Sequence, residues 1–114
     1  DSVYELFVRT SVLKKGGKVD HLHKTSIQYV KAKAQASALR TIMDSLTEED
    51  IIIIRRARNN KGISVPKNSS HMDYRNATGF EALIGYLYLS HQDDRLMEII
   101  DKSLKETEQV IEKP

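Results

Sequence analysis

The sequence predicts a single all-α domain, and three observations support this fold class. Only 2 Pro and 5 Gly occur in 114 residues. Apolar residues recur at helical spacing along most of the chain, and no partner strand is evident for its one run of β-branched residues. A chain of this length forms one domain of ordinary size. We therefore treat residues 1–114 as one unit.

The first two helical segments are predicted from apolar spacing and from residues that end or begin helices, Gly16-Gly17 and Asp20. The glycine pair ends the first helix, and Asp20 caps the second, which continues to about Leu46, with a break near residues 31–33 left open. The apolar positions are Val3, Leu6, Phe7 and Leu13 in the first segment, and Ile27, Val30, Ala34, Ala38, Ile42 and Met43 in the second.

A third helix is predicted at Ile51–Ile54. The preceding Thr47-Glu48-Glu49-Asp50 resembles a capping box, and Arg55, Arg56 and Arg58 follow the apolar run. Four consecutive isoleucines are also compatible with a buried strand. The cap and the basic end favour the helix.

Residues 59–72 are rich in loop formers and form the one long connection. Asp73 or the residues just after it begin the next helix, in which Gly79 and Gly85 mark close helix approaches; Asp93 caps the last helix. The predicted apolar positions of these two helices are Ala77, Phe80, Leu83, Ile84, Leu87 and Tyr88, then Leu96, Met97, Ile99, Ile100, Ser103, Leu104 and Val110.

Composition excludes several classes of protein. At 39% hydrophobic and 30% charged residues, the chain is neither disordered nor fibrous. No apolar run approaches the roughly 18 residues of a membrane span, so a membrane protein is not expected. The absence of cysteine excludes disulfides and thiolate metal ligands and suits a reducing compartment, and we expect a cytoplasmic protein.

Charge is divided unevenly along the chain. Residues 1–70 hold 13 Lys plus Arg and 7 Asp plus Glu, giving 13 − 7 = +6, whereas residues 71–114 hold 5 and 9, giving 5 − 9 = −4. The basic part suits a polyanion such as nucleic acid, and acidic residues in the other part suit cations. Ordinary solvated helix faces are the alternative interpretation.

Two segments resemble the acidic signatures of the ribonuclease III domain. They are Asp1-Ser2-Val3-Tyr4-Glu5-Leu6 and residues 78–89, which contain Phe80-Glu81-Ala82-Leu83-Ile84-Gly85. Residues between them resemble the short form of that family, Mini-ribonuclease III, which lacks a double-stranded-RNA-binding domain. These are residues 29–36, Thr47-Glu48-Glu49, residues 55–59 and Tyr74-Arg75.

This resemblance implies a helical endonuclease domain that forms a two-fold dimer and cleaves double-stranded RNA with Mg²⁺, leaving a 5′-phosphate and a 3′-hydroxyl. It further implies a role in 23S ribosomal RNA precursor maturation, with a ribosomal protein on the substrate as a further partner. Asp1 and Glu81 would be the catalytic metal ligands, because carboxylates are suitable ligands for hard divalent ions. Glu5, one turn after Asp1, would share its face in a supporting role, although a solvent-facing carboxylate is the alternative interpretation, and we expect a supporting role for Thr78 as well. Thr78 stands where the larger enzymes place an Asp, and we expect a natural segment upstream of Asp1.

The predicted RNA-binding residues lie around the long loop, because phosphates require cations and the catalytic domain would have to make every contact itself. They are Arg55, Arg56, Arg58, Lys61 and Lys67. Lys24, Lys31 and Lys33 are as compatible with a solubilising role as with RNA binding. The four histidines lack the spacing of a zinc site.

Two alternative functions stay open at this stage. One is a noncatalytic RNA-binding relative with the same fold, suggested by Thr78. The other is a helical protein-interaction module in which Glu81 is structural.

Overall fold

The computed structural model describes residues 2–15, 31–60 and 70–112. Within these ranges the chain forms five α-helices: α1 (Ser2–Lys15), α2 (Ala32–Ile42), α3 (Glu48–Arg58), α4 (His71–Leu89) and α5 (Asp93–Glu112). A 3₁₀ turn, Met43–Ser45, follows α2. The all-α prediction is confirmed for the described residues. Gly16-Gly17, Asp20, Ile27 and Val30 lie outside them.

Helix α4 is the centre of the bundle, since it packs against each of the other four helices. Its apolar side chains Phe80, Leu83, Ile84 and Leu87 are fully buried, as predicted. Helix α5 adds Leu96, Ile99 and Ile100, and α2 adds Ala38, Leu39 and Ile42 to the same core. Burial of this apolar surface is what fixes α4 in place.

Helix α1 packs through a face that only partly matches the predicted one: Val3 and Phe7 are half-buried against the core, as predicted. Tyr4 and Val8, one turn apart, are buried, whereas Leu6 and Leu13 are each 64% exposed. The prediction that these two leucines face the core was wrong, because in a short helix with many apolar residues more than one face fits helical spacing equally well. Met43, Tyr88 and Met97 were likewise expected on apolar faces and are exposed.

The helix boundaries were predicted well where a cap was readable. Thr47 and Asp50 form a reciprocal capping box, with Asp50 N donating to Thr47 Oγ1 at 3.2 Å and Thr47 N donating to Asp50 Oδ2 at 3.0 Å. This confirms the helical interpretation of Ile51–Ile54. Lys31 is extended and α2 begins at Ala32, so the break left open near residues 31–33 is present.

Two other boundaries differ from prediction. Helix α4 begins at His71, two residues before the predicted start at Asp73, so the last two residues of the predicted connection are helical. Its N-cap is Ser70, whose hydroxyl accepts a hydrogen bond from Asp73 N at 3.3 Å. In α5 the amide of Leu96 donates to Gln92 O at 2.9 Å, which makes Asp93 the first helical residue and not the cap. In both cases the predicted and observed positions lie within three residues of each other. Ser, Gln and Asp occur close together at these helix starts, and helix boundaries are uncertain by one or two residues where several polar residues adjoin.

Every helix in the described ranges is too short or too polar to span a lipid bilayer.

Candidate active site and RNA-binding surface

Glu81 lies in the middle of α4, on the edge of the core. The preceding residue, Phe80, is fully buried and contacts Tyr4 of α1 edge to face, with ring centroids 4.9 Å apart and ring planes at 90°. This aromatic contact holds the first turn of α1 beside the turn of α4 that carries Glu81. Asp1 itself lies outside the described residues.

The Glu81 side chain is half-buried and makes no hydrogen bond or ion pair with a described residue. Removing a carboxylate from water without a compensating partner is unfavourable. A cation is the ligand that would compensate it, and carboxylate oxygen is a suitable donor for Mg²⁺. The position of Glu81 therefore fits a metal ligand.

Thr78 and Gly85 flank Glu81 on α4, three residues before and four after it. The Thr78 hydroxyl donates to Tyr74 O at 2.9 Å, which leaves its oxygen lone pairs able to accept a further hydrogen bond. A Cβ built on Gly85 would meet no heavy atom within 4 Å in the described structure. The predicted helix approach at Gly85 is therefore wrong within one subunit, and the surface beside Glu81 is open.

Glu5, expected to support the site, forms an exposed ion pair with Arg9 on the same helix, with Arg9 Nη2 2.9 Å from Glu5 Oε1. Across the described ranges, no group of three or more His, Asp or Glu side chains forms a metal-binding cluster. Glu81 is thus the one predicted metal ligand whose surroundings the structure describes.

The predicted basic surface is located at the carboxyl end of α3. Arg55 and Arg56 are exposed and Arg58 is half-buried, all in the last turns of the helix, where positive charge interacts favourably with the helix dipole. Lys61 and Lys67 lie outside the described residues. The structure therefore places the three arginines together at the end of α3.

Helix α3 runs antiparallel to α4 and approaches it closely at Gly79. Arg58 at the end of α3 lies near Met72 and Arg75 at the start of α4, while Glu49 at the start of α3 accepts a hydrogen bond from the Tyr86 hydroxyl at 3.1 Å. A Cβ on Gly79 would lie 2.9 Å from Ile54 Cγ2 and 3.0 Å from Arg58 Cγ. The close approach predicted at Gly79 is confirmed.

An ion pair that was not predicted from the sequence joins α3 to α5. Asp50 is fully buried; it accepts hydrogen bonds from Arg95 Nη1 at 3.2 Å and from Arg95 Nη2. Burial raises the pKa of Asp50, but the hydrogen bonds from Arg95 and from the backbone amide of Thr47, together with the Arg95 charge, outweigh it and hold that pKa below its ordinary value. The capping box identifies Asp50 from sequence, but its partner 45 residues away has no local signal.

Comparison with known proteins connects this geometry to a family. The model of the ribonuclease III domain matches residues 1–92, which include Glu81, the basic end of α3 and most of the bundle. The chain belongs to the ribonuclease III domain family. It is an endoribonuclease, and the all-helical ribonuclease III fold predicted from the two acidic signatures is confirmed.

Relatives of this ribonuclease III domain match most of its length. A Mini-ribonuclease 3 from Thermoanaerobacter sp. (strain X514) is 46% identical over 110 residues, which are 96% of this chain and 78% of the relative. A Mini-ribonuclease 3 from Clostridium tetani is 50% identical over 102 residues, 88% of this chain and 68% of the relative. The resemblance to the short form of the family is confirmed.

A solved structure supports the same fold. The crystal structure of a protein from Fusobacterium nucleatum superposes with a TM-score of 0.82 at 33% identity, covering 91% of this chain and 84% of that one. The ribonuclease III domain described here therefore has the fold of an experimentally determined structure.

Proposed function

We propose that this ribonuclease III domain cleaves double-stranded RNA in a Mg²⁺-dependent reaction, with Asp1 and Glu81 as metal ligands, and acts as a homodimer. The observation that carries the proposal is the half-buried Glu81 carboxylate, which has no partner among the described residues and adjoins an open surface at Gly85. The first turn of α1 is held against the same turn of α4 by the contact between Tyr4 and Phe80. These features support a shared site for the two acidic signatures.

Each side chain of the proposed site has a separate task. Glu81 and Asp1 would hold Mg²⁺, which activates water and stabilises charge on the phosphoryl and leaving oxygens when bound. Thr78, whose hydroxyl proton is directed to Tyr74 O, presents its oxygen as an acceptor on the Glu81 face. Hydrolysis of one phosphodiester would leave a 5′-phosphate and a 3′-hydroxyl.

The basic end of α3 would bind the RNA backbone. Arg55 and Arg56 are exposed and free to contact phosphates, and Lys61 and Lys67 follow in the chain. Duplex RNA is recognised chiefly by shape and by its phosphates and 2′-hydroxyls, which suits such a surface.

The relatives bear the name Mini-ribonuclease 3. We propose precursor 23S ribosomal RNA in the cytoplasm as the substrate of this chain, with a bound ribosomal protein as an accessory partner. Primer extension across the ends of 23S ribosomal RNA from cells depleted of the protein tests this assignment, and correctly matured ends would contradict it.

Glu81→Gln tests the catalytic assignment. It keeps the size of the side chain and removes the charge that would hold the metal, so we expect cleavage of a short RNA duplex in Mg²⁺ to fall by at least about a hundredfold. Asp1→Asn is expected to behave in the same way. Glu98→Gln removes an exposed carboxylate from α5 and is the matched control. Near-normal turnover by Glu81→Gln would show that Glu81 is structural.

Arg55→Ala and Arg56→Ala test the RNA surface. Each removes an exposed phosphate-binding charge, so we expect weaker duplex binding and a salt dependence whose logarithmic slope falls by about one, with an unchanged melting temperature. Fluorescence anisotropy at several salt concentrations measures both quantities. Wild-type affinity and slope in both variants would place the RNA elsewhere.

A further inference from the structure

The side chain of Arg75, near the start of α4, forms a hydrogen bond with the carboxyl end of α3. Its Nη1 donates to Arg58 O at 2.5 Å. The last carbonyls of a helix have no partner within the helix. At the end of α3, Asn59 N donates to Arg55 O and Asn60 N donates to Ala57 O. The carbonyl of Arg58 instead accepts its hydrogen bond from the guanidinium of Arg75.

The contact of Arg75 is reinforced one helical turn along α4. Gly79 is four residues after Arg75 and therefore on the same side of the helix. There, the absence of a side chain lets Ile54 and Arg58 of α3 lie against the α4 backbone. The two contacts fix both the distance of the α3 end from α4 and its orientation.

These contacts constrain the Arg58 side chain itself. Its Cγ lies against Gly79, and its Nε is buried without a hydrogen-bond partner. Among the described residues, neither Arg58 nor Arg75 is paired with a carboxylate. Placed beside the exposed Arg55 and Arg56, the Arg58 charge is uncompensated and suits a phosphate.

We propose that Arg75 is a positioning residue for RNA binding, which acts by holding the last turn of α3 so that Arg58 meets a backbone phosphate. The inference rests on the proposed RNA-binding function of the α3 arginines. Arg75 precedes Glu81 by six residues, about 9 Å along the helix axis and about a third of a turn around it. Because this separation keeps Arg75 away from the Glu81 carboxylate, we expect Arg75 to affect RNA binding rather than the chemical step.

A double-mutant cycle tests this role. Arg58→Ala, Arg75→Ala and the double variant are titrated with a short RNA duplex in EDTA at several salt concentrations. We expect Arg75→Ala to weaken binding by roughly three- to tenfold, and the double variant to bind within about twofold of Arg58→Ala, because Arg75 acts through Arg58. The slope with salt falls by about one for Arg58→Ala and no further for the double variant.

Two results would overturn the proposal. If the losses of binding free energy in the two single variants add in the double variant, and the salt dependence of its binding has a slope lowered by about two, Arg75 itself binds a phosphate. A lower melting temperature with unchanged RNA affinity would show a purely structural role. Arg40→Ala, which removes an exposed charge from α2, is the matched control for net charge.

Two further measurements separate this inference from the function on which it rests. In Arg75→Ala without RNA, hydrogen exchange at the amides of Asn59 and Asn60 is expected to be faster than in the wild type. In steady-state cleavage, Arg75→Ala is expected to raise KM and to leave kcat within about twofold of the wild-type value. Wild-type binding by Arg58→Ala would contradict the RNA surface itself. Weak binding by Arg58→Ala with wild-type behaviour of Arg75→Ala would contradict the positioning role alone.

Discussion

Gly79 and Gly85 stand six residues apart on the same helix in opposite surroundings. Gly79 lies under Ile54 and Arg58 of α3, whereas Gly85 lies beside open surface. The sequence predicted a close approach at both, because a small residue permits such an approach without showing whether a neighbour is there. The half-buried Glu81 could be singled out from its motif, but its lack of a polar partner depends on the packing of other helices and could not.

Substituting alanine at each glycine separates these two environments. Gly79→Ala places a methyl group 2.9 Å from Ile54 Cγ2 and 3.3 Å from Ile54 O, so we expect a loss of about 1–3 kcal/mol in the free energy of unfolding. The methyl group of Gly85→Ala would contact no other atom of the described structure. The better helix propensity of alanine should therefore raise the free energy of unfolding by roughly 0.5–1 kcal/mol. Urea unfolding followed by circular dichroism measures both. A loss of stability at Gly85 would reveal a neighbour on that surface.

At the scale of the helices, local signals predicted more than distant ones. The capping box at Thr47 and the basic residues after Ile54 were sufficient to predict α3 as a helix. The contacts that set its position, from Arg95 to Asp50 and from Arg75 to Arg58 O, join residues 45 and 17 positions apart. No helical period relates such pairs, so they became visible only in the folded chain.

The stability of α3 should depend on pH through Asp50. Because its folded pKa lies below the ordinary value, near 4 for an aspartate, the pair contributes stability that is present above that value and lost as the pH falls through the lower folded pKa. Asp50→Asn leaves Arg95 without its partner, and we expect a loss of about 2–4 kcal/mol at neutral pH.

Urea unfolding at a series of pH values between neutrality and strong acid checks this expectation. The wild type should lose stability below about pH 4, and Asp50→Asn should lose less of its stability over the same interval. Parallel pH profiles for the two proteins would mean that another carboxylate governs acid unfolding.

At the scale of the whole molecule, apolar side chains remain on the surface of the bundle. Leu6 is 64% exposed on α1, and Leu89 and Tyr88 are 76% and 50% exposed at the end of α4. Large exposed apolar surfaces commonly mark protein interfaces. They support the proposed two-fold dimer, in which each subunit would bring one carboxylate site to a shared RNA surface.

Sedimentation velocity at micromolar concentration tests the dimer, for which we expect a single species of twice the chain mass. Leu89→Lys introduces a charge into the exposed apolar surface and should shift the dimer towards the monomer. Glu98→Lys changes an exposed residue of α5 outside this apolar surface and should leave the dimer unchanged. Mixed dimers of wild-type and Glu81→Gln subunits should cut only one RNA strand. A stable monomer that cuts both strands in one encounter would exclude the shared surface.

Asp50 takes part in two restraints at once, the cap that begins α3 and the ion pair that reaches α5. Neither helix can lose its first turn without disturbing the other, although each packs chiefly against α2 or α4. Such sharing joins them into one cooperative opening unit. Partial unfolding of this domain should therefore release the beginnings of α3 and α5 together, and a protease that cleaves one of them in the native state should find the other accessible at the same opening free energy.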